Sequence, residues 1–190
     1  MPSPYTAVLD ACVLYPFALR DLLIQLATTG LFRARWTERI HDEWTRAVLL
    51  NNPRATPEMI RRTRELMDAS TPGCLITGYE DLIDGIKLPD PDDRHILAAA
   101  IVAGADVIVT RNLRHFPADA LERYGIEAQH PDEFVTHQFY LDPLKVCGAA
   151  RRIRARLTRP PHTVESYLAL LERQELKQTA ALLRASAERL

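Results

Sequence analysis

The sequence lacks the motifs of several common enzyme classes. It has no Gly-rich phosphate loop, no Gly-x-Ser-x-Gly motif and no Cys or His cluster with zinc-ligand spacing. Its three cysteines, Cys12, Cys74 and Cys147, are odd in number and widely spaced, which favours a reducing compartment without disulfides. These absences leave carboxylates as the candidate chemical groups.

Long hydrophobic runs and a signal sequence are also absent. The first residues, Met-Pro-Ser-Pro-Tyr, lack the basic and apolar regions of a signal peptide, and no apolar run is long enough to span a bilayer. We therefore expect a soluble, cytoplasmic protein that has no membrane partner. With 190 residues, 47% of them hydrophobic, the chain has enough material for one domain with a real core.

The net charge of −1 hides an uneven distribution. Residues 1–143 hold 14 Lys and Arg against 21 Asp and Glu, whereas residues 144–190 hold 10 against 4. Asp142-Pro143 breaks the chain between them, so we expect a domain at 1–143 and a basic helical extension at 144–190. The extension can bind a polyanion or an acidic partner surface, and the alternative is a solvated helical face.

Short apolar strands alternate with helical segments before this break. Strands are expected at 5–9, 32–36, 74–77, 107–109 and 125–128, with helical periodicity between them. This alternation predicts an α/β fold, with a central parallel sheet flanked by helices on both faces and a C-terminal helical extension. Ligand sites of such sheets lie at the carboxyl ends of the strands.

Three carboxylates are candidates for one site at that edge. Asp10 follows the first strand, Glu43 borders the apolar stripe of a helix, and Asp93 lies at the start of the helix that runs to Gly104. If they converge, they repel each other and need a divalent cation or arginine partners. Oxygen ligands without Cys or His select Mg²⁺ or Mn²⁺, and such an ion in an acidic pocket is typical of phosphodiester hydrolysis.

Each acid also has a structural explanation. Asp90 is favoured as an N-cap in front of Pro91, Asp10 can cap a helix from residue 11 onward, and Glu43 can be a rim residue paired with an Arg. A phosphatase of the haloacid type, with Asp10 as nucleophile, expects a second Asp two positions on, where Cys12 stands.

Four motifs in order resemble those of the PIN-domain family. They are Val8-Leu9-Asp10, Asp42-Glu43, Asp90-Pro-Asp-Asp93-Arg-His-Ile-Leu-Ala-Ala-Ala100 and Val109-Thr-Arg-Asn112-Leu-Arg-His-Phe-Pro117. Over about residues 5–140 the chain looks like a PIN domain, and it is similar in particular to VapC-like toxins of type II toxin-antitoxin pairs. The resemblance implies a PIN-like fold and an endoribonuclease that depends on Mg²⁺ or Mn²⁺. It also implies a homodimer that cuts single-stranded or looped RNA and is silenced by a cognate antitoxin.

The resemblance assigns catalytic roles to Asp10, Glu43, Asp93 and Asn112, and the three acids are the expected metal ligands. Many relatives have Asp where this chain has Asn112, whose amide offers a carbonyl oxygen without a charge. The alternative is therefore a catalytically decayed PIN-like module that binds RNA or protein, with Asn112 as an early sign of decay.

Side chains around the fourth motif are the expected contacts to RNA phosphates: Thr110, Arg111, Arg114 and His115. For Arg111, Arg114 and His115 the alternative is an ion pair with the acid cluster. The basic extension has three candidate uses, which are a wider RNA track, antitoxin docking and dimerisation.

Overall fold

The computed structural model describes residues 5–190. Within this range four strands form one parallel sheet in the order β2-β1-β3-β4. The strands are β1 Thr6–Leu9, β2 Arg33–Arg35, β3 Val107–Val109 and β4 Glu127–Gln129. The predicted parallel sheet is confirmed, so all four strands end at the same edge of the sheet.

The α-helices cover the sheet and one another. They are α1 Ala11–Leu14, α2 Phe17–Ala27, α3 Glu38–Asn51, α4 Pro57–Ser70, α5 Arg94–Ala103, α6 Ala118–Leu121, α7 Pro131–Leu141, α8 Pro143–Arg156, α9 Val164–Arg173 and α10 Lys177–Ala185. Across residues 5–190, no helix combines the length and the apolar composition that a membrane span requires.

The two central strands are buried on both faces. Residues 7–9 of β1 and 107–109 of β3 have no solvent-exposed surface. Since successive side chains of a strand point to opposite faces, helices must cover both sides, as the sequence predicts. The register pairs Leu9 with Val109, which places the residues that follow these strands side by side.

Helix α5 begins with an arrangement that its sequence encodes. Asp90 accepts a hydrogen bond from the Asp92 backbone N–H at 3.0 Å, which confirms its capping role, and Pro91–Asp93 form a single 3₁₀ turn before α5. Gly104 ends the helix at a φ of 55°, in the left-handed region that favours glycine.

One predicted strand is absent from the sheet. The segment 74–77 pairs with the sheet at a single bridge, between Leu75 and Trp36, which two backbone hydrogen bonds of 3.0 and 2.8 Å hold in place. Strand β2 ends at Arg35, so residues 74–77 have no neighbouring strand that is long enough for further pairing. The sheet of the described residues therefore has four strands instead of five.

The C-terminal extension is helical, as predicted, and it packs directly on the rest of the fold. Helix α8 lies against α2, and α10 lies against α7. Side chains of the extension, such as Val146, Leu171 and Leu183, belong to the same buried cluster as strand β1. The boundary at residue 143 stays a prediction.

Candidate active site

Asp10 and Thr110 lie next to each other at the carboxyl edge of the sheet. Asp10 follows β1 and Thr110 follows β3, and the Asp10 backbone N–H donates to the Val109 carbonyl at 3.1 Å. The Thr110 hydroxyl donates to Oδ2 of Asp10 at 2.6 Å. The Asp10 residue is 5% exposed and Thr110 is 0% exposed, so the two central strands fix this pair.

The Asp10 carboxylate has a second donor on the same oxygen. The Cys12 thiol donates to Oδ2 at 3.0 Å, and its sulfur accepts the Arg111 backbone N–H at 3.2 Å. Burial and the nearby Asp10 charge raise the pKa of Cys12 to about 12, so the thiol keeps its proton. Asp10 is the N-cap residue of α1, as the alternative interpretation expects, but its side chain makes no capping hydrogen bond to the start of that helix and contacts the side chains of Thr110 and Cys12 instead.

Asp90 and Asp93 flank the imidazole of His115. Nδ1 of His115 lies 2.7 Å from Oδ2 of Asp93 and 3.6 Å from Oδ2 of Asp90. The Arg114 Nε–H donates to Nε2 of His115 at 3.3 Å, so Nε2 accepts and Nδ1–H donates to Asp93. One ligand atom from each of Asp90, Asp93 and His115 forms a group in which all atoms lie within 4.8 Å of one another.

Negative charges oppose each other in this cluster. Burial raises the pKa of the Asp93 carboxyl, and the charges of Asp10 and Asp90 act in the same direction, while the hydrogen bond from His115 opposes them. The charge of Asp10 thus acts on Asp93, although the two residues follow different elements of the chain. A bound cation would relieve this repulsion, so the donor groups fit a divalent metal.

Glu43 lies beside the start of α5. Its Oε1 is 3.0 Å from Nε2 of His95 and accepts the Arg39 Nε–H at 3.2 Å. Burial opposes ionisation of Glu43, but the hydrogen bonds from His95 and Arg39 outweigh it and lower the pKa of this carboxyl. The ion pair with Arg39 is the one that the rim interpretation expects, and His95 connects Glu43 to the helix that carries Asp93.

The grouped ligand atoms differ from the predicted metal set of Asp10, Glu43 and Asp93. They share Asp93 with it but include Asp90 and His115. The charge of Asp10 acts on Asp93, and Glu43 contacts His95, two residues after Asp93 in the chain. One imidazole joins the oxygen donors, whereas the sequence predicts oxygen alone. The roles of the three acids as metal ligands stay predictions.

Two of the four expected RNA contacts are engaged within the protein. Thr110 is fully buried and donates its hydroxyl to Asp10, so its side chain does not reach the surface where RNA would bind, and its role stays a prediction. The guanidinium of Arg111 turns toward the C-terminal extension, where it donates to the carbonyl of Gln174 at 2.9 Å.

The remaining residues of the fourth motif lie nearer the surface. Asn112 and Arg114 are exposed, and the Asn112 backbone N–H donates to the Thr110 hydroxyl oxygen at 3.0 Å. His115 is partly exposed and contacts Asp93. Asn112 and Arg114 are therefore the exposed polar residues of this loop.

Sequence reasoning missed the contributions of Cys12 and His95. Cys12 stands two residues after Asp10, a spacing that places both at one strand end and could have suggested a contact. His95 is 1% exposed on a helix of mostly apolar residues, and no local pattern marks its contact with Glu43, which comes from another helix.

Comparisons with known proteins agree with this geometry. A family model described as PIN domain matches residues 6–114, and a second, described as VapC50 C-terminal domain, matches residues 131–185. A relative from Mycobacterium tuberculosis, described as "Putative ribonuclease VapC50", is 53% identical over 64 residues. That match covers 34% of this chain and 37% of the relative.

No solved structure matches the chain significantly. The PIN-domain match nevertheless spans more than half of the chain, from β1 through β3 to the polar loop that follows it. It includes Asp10, Glu43, Asp93 and Asn112, the residues on which the resemblance depends. The chain therefore belongs to the PIN-domain family.

Proposed function

We propose that this protein is a metal-dependent endoribonuclease and the toxin of a toxin-antitoxin pair. One observation carries the proposal: ligand atoms of Asp90, Asp93 and His115 lie within 4.8 Å of one another, and the charge of Asp10, at the end of β1, acts on Asp93. Converging like charges destabilise a fold unless a cation binds them. Membership of the PIN-domain family and the name of the VapC50 relative support the same activity.

The metal in this proposal is Mg²⁺ or Mn²⁺. Asp90 and Asp93 would hold it, together with His115 in the state in which Nδ1 has lost its proton, and Asp10 and Glu43 are the other proposed ligands. Such an ion, when bound, lowers the pKa of water and neutralises charge on an attacked phosphate.

Neighbouring side chains orient two of these carboxylates, those of Asp10 and Glu43, by hydrogen bonds. Thr110 and Cys12 both donate to Oδ2 of Asp10, so neither occupies Oδ1. Arg39 and His95 hydrogen-bond to Glu43 and keep it ionised. Both carboxylates are therefore oriented before any ligand arrives, which reduces the cost of binding.

RNA is the proposed substrate. The exposed Arg114 and Asn112 stand beside the acid cluster, where a cationic side chain offsets the repulsion between acids and phosphates. The excess of basic residues in 144–190 supports a wider phosphate track. An RNA substrate and three free cysteines favour a cytoplasmic location.

A cognate antitoxin and a second copy of the chain are the proposed partners. Tyr140, Leu141 and Leu144 are 69%, 70% and 68% exposed around the junction of α7 and α8, and apolar groups of this kind favour a protein interface. Light scattering of the purified protein, with and without coexpressed antitoxin, would measure the stoichiometry.

The experiment that tests the activity is cleavage of labelled, structured RNA in Mn²⁺, in Mg²⁺ and in chelator, after removal of any copurified antitoxin. Wild type is compared with Asp10→Asn and Asp93→Asn, and Asp119→Asn serves as a matched control, because Asp119 is an exposed acid on α6. We expect cleavage to fall by about 100-fold or more in the two site variants, since removing a metal ligand should cost more than removing a residue that orients one.

Retained activity in Asp93→Asn would contradict the site assignment. If folded wild type neither cuts RNA nor binds Mn²⁺ in a calorimetric titration, the decayed binding module becomes the better interpretation. Metal-dependent cleavage by both wild type and Asp119→Asn, lost in the two site variants, supports the nuclease.

A further inference from the structure

The turn between α9 and α10 contacts the loop that follows β3. Nη2 of Arg111 donates to the carbonyl of Gln174 at 2.9 Å and lies 3.4 Å from its side-chain Oε1. Nε of the same guanidinium lies 3.7 Å from Oε2 of Glu175. Arg111 therefore joins the loop of the candidate active site to the C-terminal extension.

This turn is anchored by an acid from another helix. The two carboxylate oxygens of Asp132 accept the backbone N–H groups of Gln178 and Thr179, each at 2.8 Å. Helix α10 has no side-chain cap from its own N-cap residue, so Asp132 satisfies its first N–H groups. Because Asp132 is the second residue of α7, which follows β4 in the chain, the anchor lies at the sheet edge where Asp10 also lies.

Glu175 shows that the turn adopts a demanding backbone conformation. Its φ is 64°, in the left-handed region that residues other than glycine rarely occupy. Its carboxylate lies 3.7 Å from Nε of Arg111 and 4.0 Å from Nε2 of His130. Side chains that follow β3 and β4 thus both approach the tip of this turn.

On its other side, Arg111 belongs to the group that orients Asp10. Its backbone N–H donates to Cys12 Sγ, which in turn donates to Oδ2 of Asp10. The preceding residue, Thr110, supplies the other donor to Oδ2. A displacement of the Arg111 backbone would therefore disturb both donors.

We propose that the C-terminal extension positions residues of the active site. Its α9–α10 turn, anchored by Asp132, holds Arg111 so that Thr110 and Cys12 orient Asp10 toward a metal ion. Arg111 and Asp132 are thus positioning residues, and the Arg111 guanidinium is not an RNA contact. The inference rests on the proposed function in one respect, which is that Asp10 faces a bound ion.

A calorimetric Mn²⁺ titration of RNA-free protein separates this role from RNA contact. We expect Arg111→Ala to weaken Mn²⁺ binding about 10- to 100-fold, the range seen when a residue that orients a metal ligand is removed. Electrostatics alone predicts the opposite sign, because losing a positive charge near an acid cluster favours cation binding. The direction of the change in Mn²⁺ affinity therefore distinguishes a positioning role of Arg111 from a purely electrostatic one.

The matched control is Arg184→Ala. Arg184 lies in the same extension and pairs with Glu165 and Glu172, but it has no contact with the site loop among the hydrogen bonds and ion pairs described here. We expect its removal to leave Mn²⁺ affinity unchanged. Asp132→Ala should weaken Mn²⁺ binding in the wild-type background and have little further effect in Arg111→Ala, since both act through one turn.

Hydrogen exchange provides a readout that needs no metal. In Arg111→Ala the amides of residues 110–112 should exchange faster than in wild type, and Arg111→Lys should fall between the two. Unchanged or tighter Mn²⁺ binding by folded Arg111→Ala, with unchanged exchange, would overturn the proposal. If RNA binding alone is lost, Arg111 is a substrate contact. If wild type binds no Mn²⁺, the proposed function fails, while the exchange rates still decide whether the turn holds the loop.

Discussion

Asp10 and Asp132 are both buried near the carboxyl edge of one sheet, yet their surroundings use them differently. Each oxygen of Asp132 accepts a backbone N–H of α10 at 2.8 Å. Asp10 receives both of its side-chain donors on Oδ2, and burial together with the charge of Asp10 raises the pKa of Asp93. Two similarly buried acids thus differ in how their partners are distributed: both oxygens of Asp132 are occupied by backbone N–H groups, whereas the donors to Asp10 share one oxygen, as its proposed role requires.

Solvent exposure and the number of nearby carboxylates separate two His–Asp pairs. In the core, Nε2 of His41 lies 3.0 Å from Asp68, and Nδ1 accepts the Trp44 indole N–H at 2.9 Å, so both ring nitrogens have protein partners. Both ring nitrogens of His115 also have protein partners, Asp93 and Arg114, but this ring is partly exposed and a second carboxylate, that of Asp90, lies 3.6 Å from Nδ1. The first pair completes a packed core, and the second belongs to a group of acids that a cation would stabilise.

The largest effect is expected from Thr110→Val, which removes one of the two donors that distinguish Asp10 from Asp132. The change removes the 2.6 Å hydrogen bond to Asp10 with little change in volume, so Mn²⁺ affinity should fall about 10- to 100-fold. Thr110→Ser keeps the hydroxyl and serves as the control. Calorimetry measures both, and equal affinities of the two variants would show that the hydroxyl does not orient Asp10.

Asp132→Ala tests the structural acid, through stability. Removing the carboxylate leaves the N–H groups of Gln178 and Thr179 without these acceptors, which should cost about 1 to 3 kcal/mol in the free energy of unfolding. Urea denaturation measures this loss, with Asp10→Asn as comparison. Because Asp10→Asn removes a repelling charge, we expect it to leave stability unchanged or higher. A greater loss of stability in Asp10→Asn than in Asp132→Ala would contradict the assignment of Asp132 as the structural acid and Asp10 as the functional one.

The smallest effect is a pH dependence of the metal-free protein. Burial and the charges of Asp10 and Asp90 raise the pKa of Asp93 above its ordinary 3.8, against the opposing hydrogen bond from His115. At pH values between 3.8, which is the ordinary pKa expected in the unfolded chain, and the raised pKa of the folded protein, the folded protein binds more protons than the unfolded chain. The stability that this carboxyl contributes therefore falls as pH rises through the raised pKa.

Urea midpoints measured across the acidic range in chelator detect this dependence. Asp93→Asn lacks the titrating group, so the difference between wild type and variant should shrink toward low pH. A difference that is constant with pH would contradict the raised pKa.

Much of the fold follows from local patterns. The alternation of apolar strands with helical periodicity predicts the parallel sheet, and Asp90, Pro91 and Gly104 mark the ends of the helix that carries Asp93. The predicted strand at 74–77 is wrong because its apolar composition does not supply a neighbouring strand of sufficient length. Strand β2 stops at Arg35, and a single bridge to Trp36 is all that forms.

The sequence by itself determined that Asp10 follows a buried strand and that Asp93 begins a buried helix, because both positions are set by neighbours a few residues away. Only the tertiary structure decided which groups face those acids. The Arg111–Gln174 contact joins residues 63 positions apart, and the Asp132–Thr179 hydrogen bond joins residues 47 positions apart. Such contacts depend on how distant helices pack against the sheet, and no local spacing in the chain specifies that packing.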